Sequence, residues 1–278
     1  SPMEANGREF SMSKKNFNII SEVIHQHAGI VLKGIKEDMV YSRLSRRIRK
    51  TGCRGFDDYL SLVLHQDSPE FLHFVNAITT NLTSFFRESH HFDFIKSVAI
   101  PEWKSNVNRT KLRIWSAGSS TGEEAYSVAM TLSGHIPIHW DTKILATDID
   151  TDVVAKGHSG VYPRDRVSSL SSQLVLQHFD KVTTDGKDNV QVKKTLRSMT
   201  FFKPLNLLQD WPMSGLFEMI ICRNVVIYFD KPTQKVLFDR FADMLAPGGY
   251  LLIGHSESMY KLSDRFASLG NTIYRKEK

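Results

Sequence analysis

Cysteine is nearly absent. The 278 residues hold only Cys53 and Cys222, far apart and in different surroundings. No C-x-x-C pair exists, which argues against a disulfide framework and a structural zinc site. Two reduced thiols fit a cytosolic chain. Long apolar runs are missing as well. None approaches the ~18–20 residues that a membrane helix needs, so no membrane insertion is expected. The opening stretch SPMEANGREFSMSKK has no apolar signal-peptide core, and cytoplasmic localisation is the expectation. His25 with His27, and His90 with His91, lack metal-ligand spacing, so no metal is expected. There is no internal repeat and no low-complexity run.

What is present is an ordinary globular composition, 41% apolar and 24% charged, with enough chain for one large domain or two modest ones. The net charge is +6, and its location matters more than its size. Between Lys33 and Arg54 eight basic residues face only Glu37 and Asp38, so this one segment carries the whole excess. An acidic macromolecular partner is the natural inference.

The first ~90 residues read as helical. Ser13 is placed to cap KKNFNIISEVIHQHA, and Gly29 to stop it. KEDMVYSRLSRRIRKT is a second helix with Met39, Val40, Leu44 and Ile48 as its apolar stripe and Gly52 as its end. FDDYLSLVLHQ and SPEFLHFVNAITTN follow, the last with Pro69 at a helix start. From Lys111 onward strands alternate with helices, which argues for a mostly parallel sheet covered on both faces. GYLLIGHSES and NTIYRKE close the chain as a plausible antiparallel pair. An Asp185-Gly186 turn followed by the alternating NVQVKK breaks the pattern and reads as a small inserted β-hairpin.

The stretch RIWSAGSSTGEEAYSVAM, residues 113–130, reads as strand, glycine turn and helix. It lacks the lysine of an ATP-binding loop and the middle glycine of a dinucleotide loop. Gly118 and Gly122 let the backbone approach a ligand. Asp148, ending the next strand ILATDID, is placed to accept hydrogen bonds from ribose hydroxyls. Turn and acid together indicate an adenosine-type ligand. A pyrophosphate would be repelled by Glu123 and Glu124, whereas a sulfonium and an α-ammonium would be attracted. S-adenosylmethionine carries both. The plain alternative is that the two glutamates only complement the positive helix N-terminus. Glu123, nearest the turn, is read as the ligand carboxylate and Glu124 as the structural one. GHSES near Gly254 lacks the closing glycine of a nucleophile elbow and reads as a turn.

Three further stretches converge on one family. ITTNLTSFFRESHHF, WSAGSSTGEEAYS and ICRNVVIYFD, in that order, resemble the chemotaxis receptor methyltransferases, CheR. The resemblance spans nearly the whole chain. It implies an α/β class I methyltransferase fold (Rossmann-like), with an N-terminal all-helical basic domain over residues 12–90, a methyltransferase domain over 91–278 and an inserted β-subdomain at about 178–203. It implies methyl transfer from S-adenosylmethionine to glutamate side chains of chemoreceptors, with S-adenosylhomocysteine as the second product. Carried over by matching motif, Asn81, Thr83, Arg87, Gly118, Glu123, Asp148, Asn206, Leu207, Arg223 and Asn224 would surround the cofactor. Arg87 and Tyr228 would lie nearest the transferred methyl.

The chemistry suits such a site. A glutamate carboxylate, with an unperturbed pKa of about 4.3, is already ionised near neutrality and needs no general base. Charge disappears in the transition state, so geometry and water exclusion carry most of the effect. Arg43, Arg46, Arg47 and Lys50 share helical spacing and are expected to dock on an acidic receptor helix. The inserted hairpin offers an edge strand for a receptor tail peptide. A nucleic-acid methyltransferase using the basic helix, and a silent cofactor-sensing module, are the alternatives. A monomer is the default expectation.

Overall fold

The computed structural model describes residues 7–32, 36–79, 83–223, 229–254 and 263–278. Within these, no helix is long and apolar enough to cross a membrane. The chain forms two compact units, one of Ser1–Thr80 with Tyr228–Asp230, the other of Asn81–Ile227 with Lys231–Lys278.

The first unit holds α1 (Lys14–Ala28), α2 (Glu37–Thr51), α3 (Phe56–Leu64) and α4 (Glu70–Thr79). Ser13 and Asn16 form a reciprocal capping box, and Gly29 ends α1 in the left-handed conformation. In α2, Glu37 and Asp38 sit in the first turn and Arg49 and Lys50 in the last, matching the helix dipole. Val40, Leu44 and Ile48 are fully buried, whereas Met39 is only half-buried at the margin of the expected stripe. They join Ile20, Ile24, Phe56, Tyr59 and Phe74 in the core.

The second unit opens with α5 (Ser89–Phe94), a π-helical turn (Ile95–Ala99) and α6 (Ile100–Ser105). The 90/91 division expected from sequence therefore falls inside a continuous helical run. The strands β1 (Lys111–Ala117), β2 (Asp141–Asp148), β6 (Thr200–Pro204), β7 (Phe217–Cys222), β8 (Leu245–Ile253), β9 (Phe266–Gly270) and β10 (Ile273–Lys276) make one sheet in the order β6-β2-β1-β7-β8-β10-β9. The first five in that order are parallel. β10 runs antiparallel to β8, as expected, and β9 adds an outer strand that the sequence pattern did not reveal.

Strand alternation serves both faces. Leu112, Ile114, Met219 and Ile221 pack with α7 (Glu123–Leu132) and the helical run of α5 and α6. Trp115 points the other way, onto Phe241 of α11 (Lys231–Met244), with ring centroids 5.3 Å apart. Pro247, Gly248 and Gly249 lie within β8, where the pairing with β7 shifts register. A side chain at Gly249 would meet the Ala246 carbonyl at 2.9 Å, so the bulge requires glycine there.

A smaller antiparallel sheet, β3-β5-β4, combines Val161–Pro163, Lys187–Val192 and Phe179–Thr184. Asp185 and Gly186 both have positive φ, the backbone of a tight hairpin turn. β3 lies outside the 178–203 span expected for the insertion, and β6, at its end, belongs to the large sheet. Between the sheets' strands lie α8 (Thr151–Ser159), a 3-10 turn (Arg164–Val167), α9 (Ser172–His178) and α10 (Lys194–Arg197).

Candidate active site

The parallel strands β6, β2, β1 and β7 are neighbours, and they end on one side of the sheet. From β1 the chain steps to β2 on one flank and returns later to β7 on the other. This is a topological switch point, where open α/β sheets bind ligands. Asn206 and Leu207 follow β6, Asp148 ends β2, Gly118 follows β1 and Arg223 follows β7. Residues distant in sequence thus reach one edge.

The glycine turn is stitched to β2. The N–H groups of Gly118 and Ser119 both donate to the Thr147 carbonyl at 2.8 Å. Asp148 accepts the Ser120 N–H on one oxygen and the Asp150 N–H on the other, each at 2.9 Å. Burial pushes the Asp148 carboxyl up to about 6, against the pull of these amides. Its backbone carbonyl accepts the Leu205 N–H at 2.9 Å, which draws the Asn206–Leu207 segment to the same edge. At Gly122 a side chain would meet the Tyr162 hydroxyl at 2.8 Å and Phe202 at 2.9 Å, so this glycine makes room for packing.

The two glutamates that open α7 diverge. Glu123 is fully buried; Thr121 donates to it at 2.5 Å and Arg166 approaches at 3.4 Å. Burial raises its pKa, with the Thr121 hydrogen bond and Arg166 opposing. Glu124 does more than complement the helix dipole. It accepts from Ser116 Oγ at 2.7 Å and from Arg223 Nε at 2.6 Å. Arg223 in turn donates Nη1 to the Arg87 carbonyl and lies over the Phe92 ring. Arg223 is therefore built into the frame of the site.

Arg87 sits in a constrained loop. Phe86 and Glu88 on either side both have positive φ, uncommon for residues with side chains. The loop is clamped at two points: Ser127 Oγ of α7 accepts the Phe86 N–H at 2.9 Å, and Arg223 takes the Arg87 carbonyl. Ahead of it Thr83 is half-buried, and Phe85 packs edge-on against Tyr162 and Phe179. Asn81, Asn224 and Tyr228, the other expected site residues, lie outside the described residues, as does His255–Ser258 of GHSES.

In the helical unit the basic face of α2 is divided. Arg47 forms a two-bond pair with Glu70, at 2.7 Å for each bond. Arg43 donates to the carbonyls of Ala77 and Ile78. Arg46 and Lys50 are exposed.

Ser116, Ser119, Ser127, Tyr162, Arg166, Trp211 and Arg240 were not singled out by sequence. Among them only the seryl hydroxyls stood near a recognised motif. Their role depends on partners far away in sequence.

Residues 81–275 match the family described as CheR methyltransferase, SAM binding domain, and residues 15–79 match CheR methyltransferase, all-alpha domain. The chain belongs to the CheR methyltransferase family. A chemotaxis protein methyltransferase of Escherichia coli (strain K12) is 43% identical over 269 residues, covering 95% of this chain and 91% of that protein. The one from Salmonella typhimurium is 42% identical, covering 96% and 92%. Chemotaxis protein methyltransferase 2 of Pseudomonas aeruginosa is 40% identical, covering 99% and 97%. The nucleic-acid alternative finds no support in these relatives. A CheR methyltransferase uses S-adenosylmethionine, and the residues present fit it. Asp148, half-buried, keeps lone pairs beyond its two amide bonds. Ser119 Oγ is buried in the turn with no hydrogen-bond partner among the described residues. Glu123 is a buried carboxylate whose only cation within 4 Å among the described residues is Arg166, at 3.4 Å.

Proposed function

We propose that this chain methylates glutamate side chains of chemoreceptors, giving glutamate methyl esters. The observation that carries the reading is the convergence of Asp148, the Gly118 turn, Asn206 and the clamped Arg87 loop at the ends of adjacent parallel strands. Bound S-adenosylmethionine would supply an electrophilic methyl on a cationic sulfur. Asp148 would accept hydrogen bonds from the ribose hydroxyls, and Glu123 would pair with the α-ammonium. Asn206 and Leu207 would flank the adenine, with Thr83, Asn81 and Asn224 as the further cofactor residues. Arg223 holds the Arg87 backbone. Arg87 pairs with one oxygen of the acceptor carboxylate and aims the other. Tyr228 keeps water away from the methyl.

Transfer of that methyl to an ionised carboxylate oxygen would need no proton movement, consistent with a site built from orienting groups. The partner surface is narrower than four cations on α2. Arg46 and Lys50 face solvent and meet acidic receptor helices, whereas Arg43 and Arg47 hold the helical unit together. β4 is an outer strand of the small sheet, beside a groove of about 1020 Å³ lined by Val175, Leu176 and Phe179 among others; a receptor tail peptide would add there as a strand.

Incubation with methyl-labelled S-adenosylmethionine and receptor membranes, or RNA, tests the reading. Label on receptor protein that mild base releases as methanol is the expected result. Base-stable label on RNA, or none on receptor, would overturn it.

A further inference from the structure

Arg240, on α11, contacts the segment that follows β6 in a way the reaction scheme leaves unexplained. Its Nη1 donates to the Leu207 carbonyl and its Nη2 to the Gln209 carbonyl, both at 2.7 Å. The guanidinium also lies flat enough over Trp211 to put its carbon 3.8 Å from the ring centroid. Trp211 Nε1 donates to the same Leu207 carbonyl at 3.3 Å, so both lone pairs of that oxygen are engaged. Trp211 is itself wedged against Phe241, stacked at 5.5 Å, and edge-on against Trp115 at 4.8 Å.

The segment between these anchors is tightly turned. Asn206 Oδ1 accepts the Leu208 N–H at 2.9 Å, and the Asn206 carbonyl accepts the Gln209 N–H at 3.0 Å. At its other end the Leu205 N–H is tied to Asp148. One end of the segment is therefore fixed by the ribose acid and the other by Arg240 and Trp211.

We infer that Arg240, stacked on Trp211, is a positioning residue for the cofactor: its two-pronged grip on Leu207 and Gln209 sets the adenine-flanking segment. The inference rests on the proposed cofactor site. Only a guanidinium can serve, because a lysine ammonium cannot span two carbonyls in one plane while stacking on indole. Arg240 touches no reacting atom, so its loss acts on cofactor affinity and on KM for S-adenosylmethionine more than on kcat.

Calorimetric titration with S-adenosylhomocysteine tests this on the full chain. Arg240→Ala and the gentler Arg240→Lys should each raise Kd tenfold or more. KM for S-adenosylmethionine should rise in parallel, and kcat should fall by less than threefold. Arg265→Ala is the control, since Arg265 ties α11 through the Asp239 carbonyl and Asp243 without touching this segment. It should leave Kd within twofold. If Arg240→Lys, folded by circular dichroism, binds within twofold of wild type, the two-pronged grip is wrong. An equal loss in Arg265→Ala would show a general effect of α11 and overturn the inference. Failure of the wild-type protein to bind would overturn the cofactor reading itself.

Discussion

Each unit buries an arginine–glutamate pair, and the two pairs are used differently. In the helical unit, Arg47 and Glu70 close on each other through two bonds, with the Tyr59 hydroxyl donating to the same carboxylate at 2.9 Å. In the sheet unit, Glu124 spreads its oxygens between Ser116 and Arg223, and Arg223 passes a further bond to the Arg87 carbonyl. The first network ends where it begins and holds a core together. The second is an open chain that ends at a loop with strained backbone. A buried ion pair gives little net stability after desolvation, so its value lies in what geometry it fixes.

The largest expected effect separates these uses. Arg47→Ala leaves the buried Glu70 with the Tyr59 hydroxyl but without its counter-charge and should cost about 3 kcal/mol in denaturant unfolding. S-adenosylhomocysteine affinity of the folded protein should stay within twofold. A large loss of affinity without loss of stability would break the comparison.

Glu124→Gln keeps the shape and the Ser116 contact but weakens the hold on Arg223. Turnover should fall by up to about 100-fold, because small displacements of a positioned group are costly. Stability should fall as well, because Arg223 loses a buried counter-charge, but here the turnover of the folded protein falls with it. Steady-state methyl transfer alongside thermal melting distinguishes the two.

Acid should also separate the units. Burial pushes Glu70 up, but bonds from Arg47 and Tyr59 outweigh it and hold the group below its usual 4.5. Its contribution to stability is thus complete above 4.5 and is lost as pH falls through the lower folded value. Asp148 is raised to about 6, so protonation of its carboxylate begins much earlier. Cofactor affinity should weaken about tenfold between pH 7 and pH 5, while the helical unit keeps its Glu70 contribution. Raised Glu123 adds in the same direction. Asp148→Asn should flatten the profile. Calorimetry across this range would show an unchanged Kd if Asp148 had no part in binding.

Ser127→Ala should have the smallest effect. It leaves the half-buried Phe86 N–H without its acceptor, a cost of about 1 kcal/mol. Turnover should fall severalfold with the cofactor Kd unchanged, as measured in parallel assays.

Much of the fold was legible before the structure. Ser13, Gly29 and Gly52 marked helix ends because capping is local chemistry. The β1–turn–α7 unit and Asp148 were legible because alternating apolar strands and a positioned acid leave a linear trace. β9, an exposed five-residue strand, and β3, a three-residue one, left no such trace. They are strands only because β10 and β5 pair with them. Helical spacing put Arg43, Arg46, Arg47 and Lys50 on one broad face. It could not say that Glu70 and the end of α4 would claim Arg47 and Arg43.

The sequence by itself determined the alternation that makes a parallel sheet, the glycine turn, the acid that ends β2 and the location of the positive charge. These depend on residue type and short-range spacing. Tertiary structure alone decided that Gly122 serves packing, that Glu124 reaches through Arg223 to the Arg87 loop, and that Arg240 grips the segment after β6. Each of those depends on contacts between residues 30 or more positions apart, and such partners are chosen only when strands and helices from distant parts of the chain come to lie side by side.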